Sequence, residues 1–424
     1  MTSIVDKENE ARLRDGDLPG RHTRNARPKG AFGKTNPGLG LVSILSAVSR
    51  RVSPVVWWAV LVLFFATIFI VRIHDEMVDF GVYQRASIRA WRAENLYRPD
   101  DGHYQYKYLP AFAFPMRPFA AMPELAARTT WYALTCGLLV LMVRRAVALL
   151  PDRRLSIGAL TWFAILFMGK FYARELHLGQ TNVLLGAILV LGLGAALTGR
   201  RVLAGVLIGV GIFVKPYAAI LIPVLWLTSG IGSVAVAGAV GLAGLAAPAL
   251  IYSWDGNIEQ LQGWYRTVTD TVVPNLFVNE NVSFAATWAK WIGAGPLATQ
   301  LTWFTSAAAL LLAGTFFLFR RGVATPAYLE FGVLLLLVAL LSPQGWDYVL
   351  LLGTPAVLIA VDRWRDTPLP WKALTAVSIF LMSFTIFDVF GRTAYTAMMK
   401  VNVVTVAVVG LTICLLRIRT AKLA

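Results

Sequence analysis

The sequence predicts an all-α polytopic membrane protein with about ten to twelve hydrophobic helical segments and two large extracytoplasmic loops. Three observations predict it. Hydrophobic residues make up 57% of the 424 residues and charged residues only 15%, too few to clothe a water-soluble chain of this length. Apolar runs long enough to cross ~30 Å of hydrocarbon recur along the chain. Much of the basic charge, +16 in total, sits in short segments flanking those runs, which reads as membrane topology and not as nucleic-acid binding.

Taken in order, residues 1–52 are rich in Lys and Arg, with several Gly and Pro, the composition of a disordered cytoplasmic tail. Residues 53–424 then form one transmembrane domain. The first apolar run, Pro54 to Ile73, is too long and too far along to be a cleavable signal peptide, so it is a retained helix. Further helices are expected at 129–149, 155–171, 182–199, 231–252, 299–319, 326–342, 345–362, 371–388 and 397–417. Two shorter pieces, 202–214 and 217–228, are broken at Lys215-Pro216, where proline removes a backbone donor and disfavours helix in the preceding residue. Cys136 and Cys414 lie inside apolar runs and read as small hydrophobes, not as a disulfide or metal pair.

The broken stretch decides the topology. If it enters and returns to one side, the clusters Arg144/Arg145/Arg153/Arg154, Arg200/Arg201, Arg320/Arg321, Arg363/Arg365/Lys372 and Arg417/Arg419/Lys422 all share the cytoplasmic side with the tail. A single crossing would expel the later clusters, against the positive-inside bias. The expected protein is therefore a multi-pass component of the cell membrane with both termini cytoplasmic. The segments near 74–128 and 253–298 and the links 172–181 and 343–346 then converge on the outer face.

On that face, the run from His74 to Arg85 holds a carboxylate cluster where the first helix leaves the membrane. A partly desolvated carboxylate there suits a general base that deprotonates an acceptor hydroxyl. Asp75 and Glu76 read as solvated acids. The aromatics that follow, including Tyr83 and Tyr108, serve equally as interfacial anchors and as surfaces for sugar rings. Gln180 and Asn182, beside Gly179, either cap the next helix or bind hydroxyls or phosphate. Lys215, inside an apolar segment, marks a site whose partner is a lipid phosphate, unless its long stem carries it to the interface. Asn279 to Ser283 precedes an amphipathic segment, Phe284 to Ile292, and Asn281-Val282-Ser283 also fits the short glycosylation pattern. Asp347 begins a helix, where the helix dipole explains a carboxylate. The chain carries no Walker loop, zincin motif, dinucleotide fingerprint or Ser-x-x-Lys, and its four histidines are scattered, so no metal is expected.

The ordered set Asp79-(x3)-Tyr83-(x2)-Ala86, Asn95-Leu96-Tyr97, Tyr108-Leu109-Pro110, Leu178-Gly179-Gln180-Thr181-Asn182, Ala204-Gly205-(x3)-Gly209, Lys215-Pro216, Asn279 to Ser283 and Ser342-Pro343 resembles glycosyltransferase family 87. These are the polyprenol-phosphate-mannose-dependent α-1,2-mannosyltransferases of the GT-C superfamily. The resemblance implies a GT-C fold and an inverting hexosyltransferase of cell-envelope glycan synthesis. Such an enzyme passes mannose from a polyprenyl-phosphate donor in the bilayer to a lipid or glycan acceptor on the outer face, with no cofactor and no nucleic acid. By motif position Asp79 is the catalytic base, and Lys215 stabilises the phosphate. Tyr83, Tyr108, Gln180, Asn182, Asn279 and Ser283 are candidates for donor or acceptor contacts. Many relatives place a histidine after the Ser-Pro pair, where this chain has Gln344-Gly345-Trp346-Asp347-Tyr348. Mannose is thus the family default, and an arabinofuranosyl donor is the nearest rival. Outside the family, a lipid or solute transporter is the alternative reading of many helices with a broken segment.

Overall fold

The computed structural model describes residues 54–323 and 325–420. The tail expected at 1–52 lies outside the described residues. Along the chain the helices are α1 (Pro54–Ile68), α2 (Val78–Trp91), α3 (Glu124–Leu149), α4 (Ile157–Leu178), α5 (Asn182–Leu197), α6 (Arg201–Val214), α7 (Ile222–Ser229) and α8 (Ile231–Ala246). There follow α9 (Ala249–Asp270), α10 (Phe284–Ile292), α11 (Pro296–Leu318), α12 (Pro326–Leu341), α13 (Thr354–Asp362), α14 (Leu369–Phe384), α15 (Phe387–Lys400) and α16 (Val403–Thr420). Among the described residues the one β contact is an isolated bridge between Asn281 and Trp346.

The protein is an all-α polytopic membrane protein. Among the described residues three helices, α3, α11 and α16, are long and apolar enough to cross a membrane, or five if the bent pairs α8/α9 and α14/α15 each count as one span. The other apolar helices are short. At 16 and 14 residues, α5 and α6 extend only about 24 and 21 Å at the helical rise per residue. Residues Ala327 to Leu340 of α12 are buried on every side, as expected of a helix apolar all round.

Two bends correct the expected boundaries. The run 231–252 is not one span, because α8 ends at Ala246 and the chain turns by 88° into α9. Pro248, which lacks a backbone donor, stands at the turn. The run 371–388 ends at Phe384 and turns by 95° into α15. The run 397–417 joins two helices, since Asn402, at φ +50, separates α15 from α16. The segments 74–128 and 253–298 are not simple loops, because each contains helices, α2 in the first and α9 and α10 in the second.

The broken stretch returns to the end it left. A Cβ on Gly205, near the start of α6, would lie 2.5 Å from the Ser233 carbonyl oxygen at the start of α8, and one on Gly209 would lie 2.9 Å from that of Ala237. Small residues four apart thus let the two backbones touch. Between them, Pro216–Leu221 forms a tight 3-10 turn and α7 leads back, where Leu227 O and Thr228 Oγ1 meet the Arg320 guanidinium. The basic clusters gather at this same end. Glu330, fully buried, accepts from Arg320 Nε at 2.9 Å and from Arg419 Nη1 at 3.3 Å. Asp362 accepts from the Arg154 and Leu155 amides, both at 2.9 Å, and the Arg363 guanidinium donates to Pro151 O.

Candidate active site

The opposite end of the bundle is polar inside, and α2 begins there. Phe80, Tyr83, Ser87 and Ala90, spaced as one helical face, are buried. Phe80 stacks on Trp131 at 5.4 Å. Against this face lies the end of α4, closed by Gly179 in the left-handed conformation, φ +67. A Cβ there would stand 2.8 Å from Phe80 Cβ and 3.0 Å from Met77 Cε, so only glycine permits both the turn and the approach. Trp131 Nε1 donates to Gly179 O and fixes the contact at 2.9 Å. The next residue, Gln180, is thereby held over Asp79 in the first turn of α2.

Gln180 organises the site. Its Oε1 is within 3.0 Å of Tyr83 OH, 2.9 Å of Tyr108 OH and 3.4 Å of Lys215 Nζ. With donors crowding that oxygen, Nε2 is left to donate to Asp79 Oδ2, at 2.8 Å. Among the described residues no other hydrogen bond reaches the Asp79 carboxylate. Tyr83 and Tyr108 share a hydrogen bond of 2.8 Å, and Tyr108 OH also lies 3.1 Å from Thr181 Oγ1. Burial raises the Asp79 carboxyl above the ordinary carboxylate range, while the Gln180 hydrogen bond and the charges of Lys215, Lys107 and Arg174 pull it back down.

A second chain of bonds holds the cation. Lys215, at the break after α6, donates to Asn182 Oδ1 at 2.8 Å and sits over the Tyr108 ring at 5.2 Å. Tyr217 OH donates to the same oxygen at 2.6 Å. Asn182 Nδ2 donates to Glu175 Oε2 at 2.9 Å, and the Val183 amide donates to Glu175 Oε1 at 3.0 Å. Glu175 is fully buried, so it caps the start of α5 and fixes the amide that positions Lys215.

A cavity of about 430 Å³ is walled by Asp79, Tyr83, Lys107, Arg174, Gln180 and Lys215, among others. Its rim is closed by Gln344, whose Oε1 accepts from Lys107 Nζ at 3.0 Å and whose Nε2 donates to Thr271 Oγ1 at 2.8 Å. One carboxylate, half-buried, thus faces three cations across a space large enough for a sugar. That arrangement is suited to taking a proton near Asp79 while stabilising an anion near Lys215 and Arg174.

Six of the eight residues singled out in the sequence, Asp79, Tyr83, Tyr108, Gln180, Asn182 and Lys215, meet in this one network. The structure does not bring Asn279 and Ser283 to it. Ser283 Oγ caps α10 by accepting from the Ala286 amide and donates to Pro343 O, while the Asn279 carbonyl accepts from Lys290 Nζ. Neither lines the cavity. The sequence reading passed over Lys107 and gave Glu175 no role. Glu175 carried one signal, a carboxylate near the end of a largely apolar helix that also holds Lys170, Arg174 and His177. Lys107 carried none, because its partner Gln344 is 237 residues away.

The model of glycosyltransferase family 87 matches residues 106–343, more than half of the chain; Asp79 and Tyr83 precede the match, and Gln344 follows it. No curated protein and no solved structure matches.

Proposed function

The chain belongs to glycosyltransferase family 87, and from that premise we propose that this membrane glycosyltransferase moves a sugar from a polyprenyl-phosphate donor to a hydroxyl of a lipid or glycan acceptor, with inversion. Mannose is the donor sugar by the family default. Asp79 takes the proton of the acceptor hydroxyl, and the acceptor oxygen attacks the anomeric carbon from the face opposite the phosphate. The bond between that carbon and the phosphate oxygen breaks, and the polyprenyl phosphate leaves with the electron pair. Lys215 and Arg174 stabilise its charge, and Asp79 later returns its proton to water. No cofactor enters this scheme.

The observation that carries the reading is the single carboxylate of Asp79, held at one oxygen by Gln180 and facing Lys215, Arg174 and Lys107 across the cavity. The basic residues of the opposite end support an extracytoplasmic site, since such clusters favour the cytoplasmic side. The test offers purified protein in lipid polyprenyl-phosphate-mannose and polyprenyl-phosphate-arabinofuranose, each with a panel of glycan and glycolipid acceptors. Transfer of one sugar, with the anomeric configuration of the product opposite to that of the donor, is expected. Retained configuration contradicts the single displacement, and no transfer from either donor contradicts the substrate class.

A further inference from the structure

A second and larger cavity, about 750 Å³, lies beside the first and shares His103, Gln105 and Lys107 with it. Its far wall is α9. Past the break at Ser253, φ +64, that helix has two faces: Trp254, Ile258 and Tyr265 are exposed apolar residues on one side. On the other, Glu259, Gly263, Arg266 and Asp270 recur at helical spacing and line the cavity. Gly263 is pressed on Tyr97, with a Cβ position 3.0 Å from the Tyr97 ring, and Gln260 Oε1 accepts from the Leu96 amide at 3.0 Å, so the wall is anchored to the 95–107 segment. The side chains of Glu259, Arg266 and Asp270 are exposed, and among the described residues none of the three forms an ion pair.

The two cavities differ in charge. The first sets three cations against one carboxylate, as an anionic phosphate needs. The second balances Glu259 and Asp270 against Arg266 and the shared Lys107, with the shared His103, and adds the amides of Asn95 and Gln262. Such a mixed set of donors and acceptors suits vicinal hydroxyls, each of which both gives and takes a hydrogen bond. We propose that this cavity is a binding groove for a neutral, hydroxyl-rich glycan, which reaches over the bridge of Lys107 and Gln344 to present one hydroxyl to Asp79. Its role as the acceptor subsite rests on the reading under Proposed function, whereas glycan binding itself does not.

Saturation-transfer NMR on the full chain in lipid nanodiscs, with methyl glycosides of one to three neutral sugars as probes, tests it. Wild type and Asp79→Asn are expected to bind at least one probe. The triple variant Glu259→Gln/Arg266→Ala/Asp270→Asn, altered only at exposed positions, is expected to bind it at least fivefold more weakly while retaining polyprenyl phosphate. Equal binding by the triple variant, loss of binding in Asp79→Asn instead, or no binding by wild type overturns the proposal. Glycan binding that depends on the groove, without transfer from any lipid-linked sugar, sinks the transferase chemistry and leaves the groove standing.

Discussion

At the scale of single residues, the site turns on how one amide is oriented. Gln180 can donate to Asp79 because its oxygen is taken up by Tyr83, Tyr108 and Lys215. Gln180→Leu removes the donor that lowers the Asp79 pKa, and its rate is expected to fall about a hundredfold, the scale of a misplaced catalytic group. A base must be ionised, so wild-type kcat/KM should fall as the pH drops through the raised pKa of Asp79. This acid limb is expected above the ordinary 3.8, and further up in Gln180→Leu. An acid limb at the same pH in both proteins contradicts the hydrogen bond's role. The same shift has a sign for stability. The folded pKa of Asp79 is raised, so its contribution favours the folded state at low pH and is lost as the pH rises through that value. Asp79→Asn should therefore melt at or above wild type at pH 7, as expected where function is held against stability. Lys215→Met, keeping the stem without the charge, is expected to lose about 10²–10³ in kcat with a smaller change in donor affinity, if the cation acts on the leaving phosphate.

Among the elements, two glycine contacts set the geometry. Gly205 and Gly209 bring α6 against the backbone of α8, and Gly209→Val is expected to cost about 1–3 kcal/mol as overpacking, read as a lower thermal midpoint. Gly179→Ala strains a left-handed turn and pushes on Phe80 and Met77, so activity should fall along with stability. Much of this level was legible in the sequence: the apolar runs at 54–73, 129–149, 182–199, 299–319 and 326–342 and the break at Lys215-Pro216 stand where composition and local chemistry put them, and the Gly205-x3-Gly209 pair where the family resemblance put it. The bends at 247–248 and 385–386 were not, because apolar residues continue through both and hydropathy does not register direction. Helices α2 and α9 were hidden for the opposite reason. Helix α2 buries one face and keeps the other polar, and α9 sets an exposed apolar face against a polar one, so a scan for uniformly apolar stretches leaves both as loops. Glu175 and Lys107 joined the site only through partners brought close by folding.

For the whole molecule, the fold separates two chemistries at its two ends. One end locks basic clusters onto buried carboxylates, as in the Arg320, Glu330 and Arg419 set, and the other leaves cations facing a cavity. This polarity predicts orientation. Thr269→Cys, exposed on α9, should react with an impermeant thiol reagent in intact cells, and the exposed Arg365→Cys only after permeabilisation. The reverse pattern contradicts the proposed sidedness. In the proposed chemistry Asp79 alone is the proton acceptor, so the account is tested most directly by comparing wild type and Asp79→Asn in sugar transfer from polyprenyl-phosphate donor, with donor binding measured on both. Transfer abolished in a variant that still folds and still binds donor is the predicted result. Transfer by Asp79→Asn at the wild-type rate would contradict it.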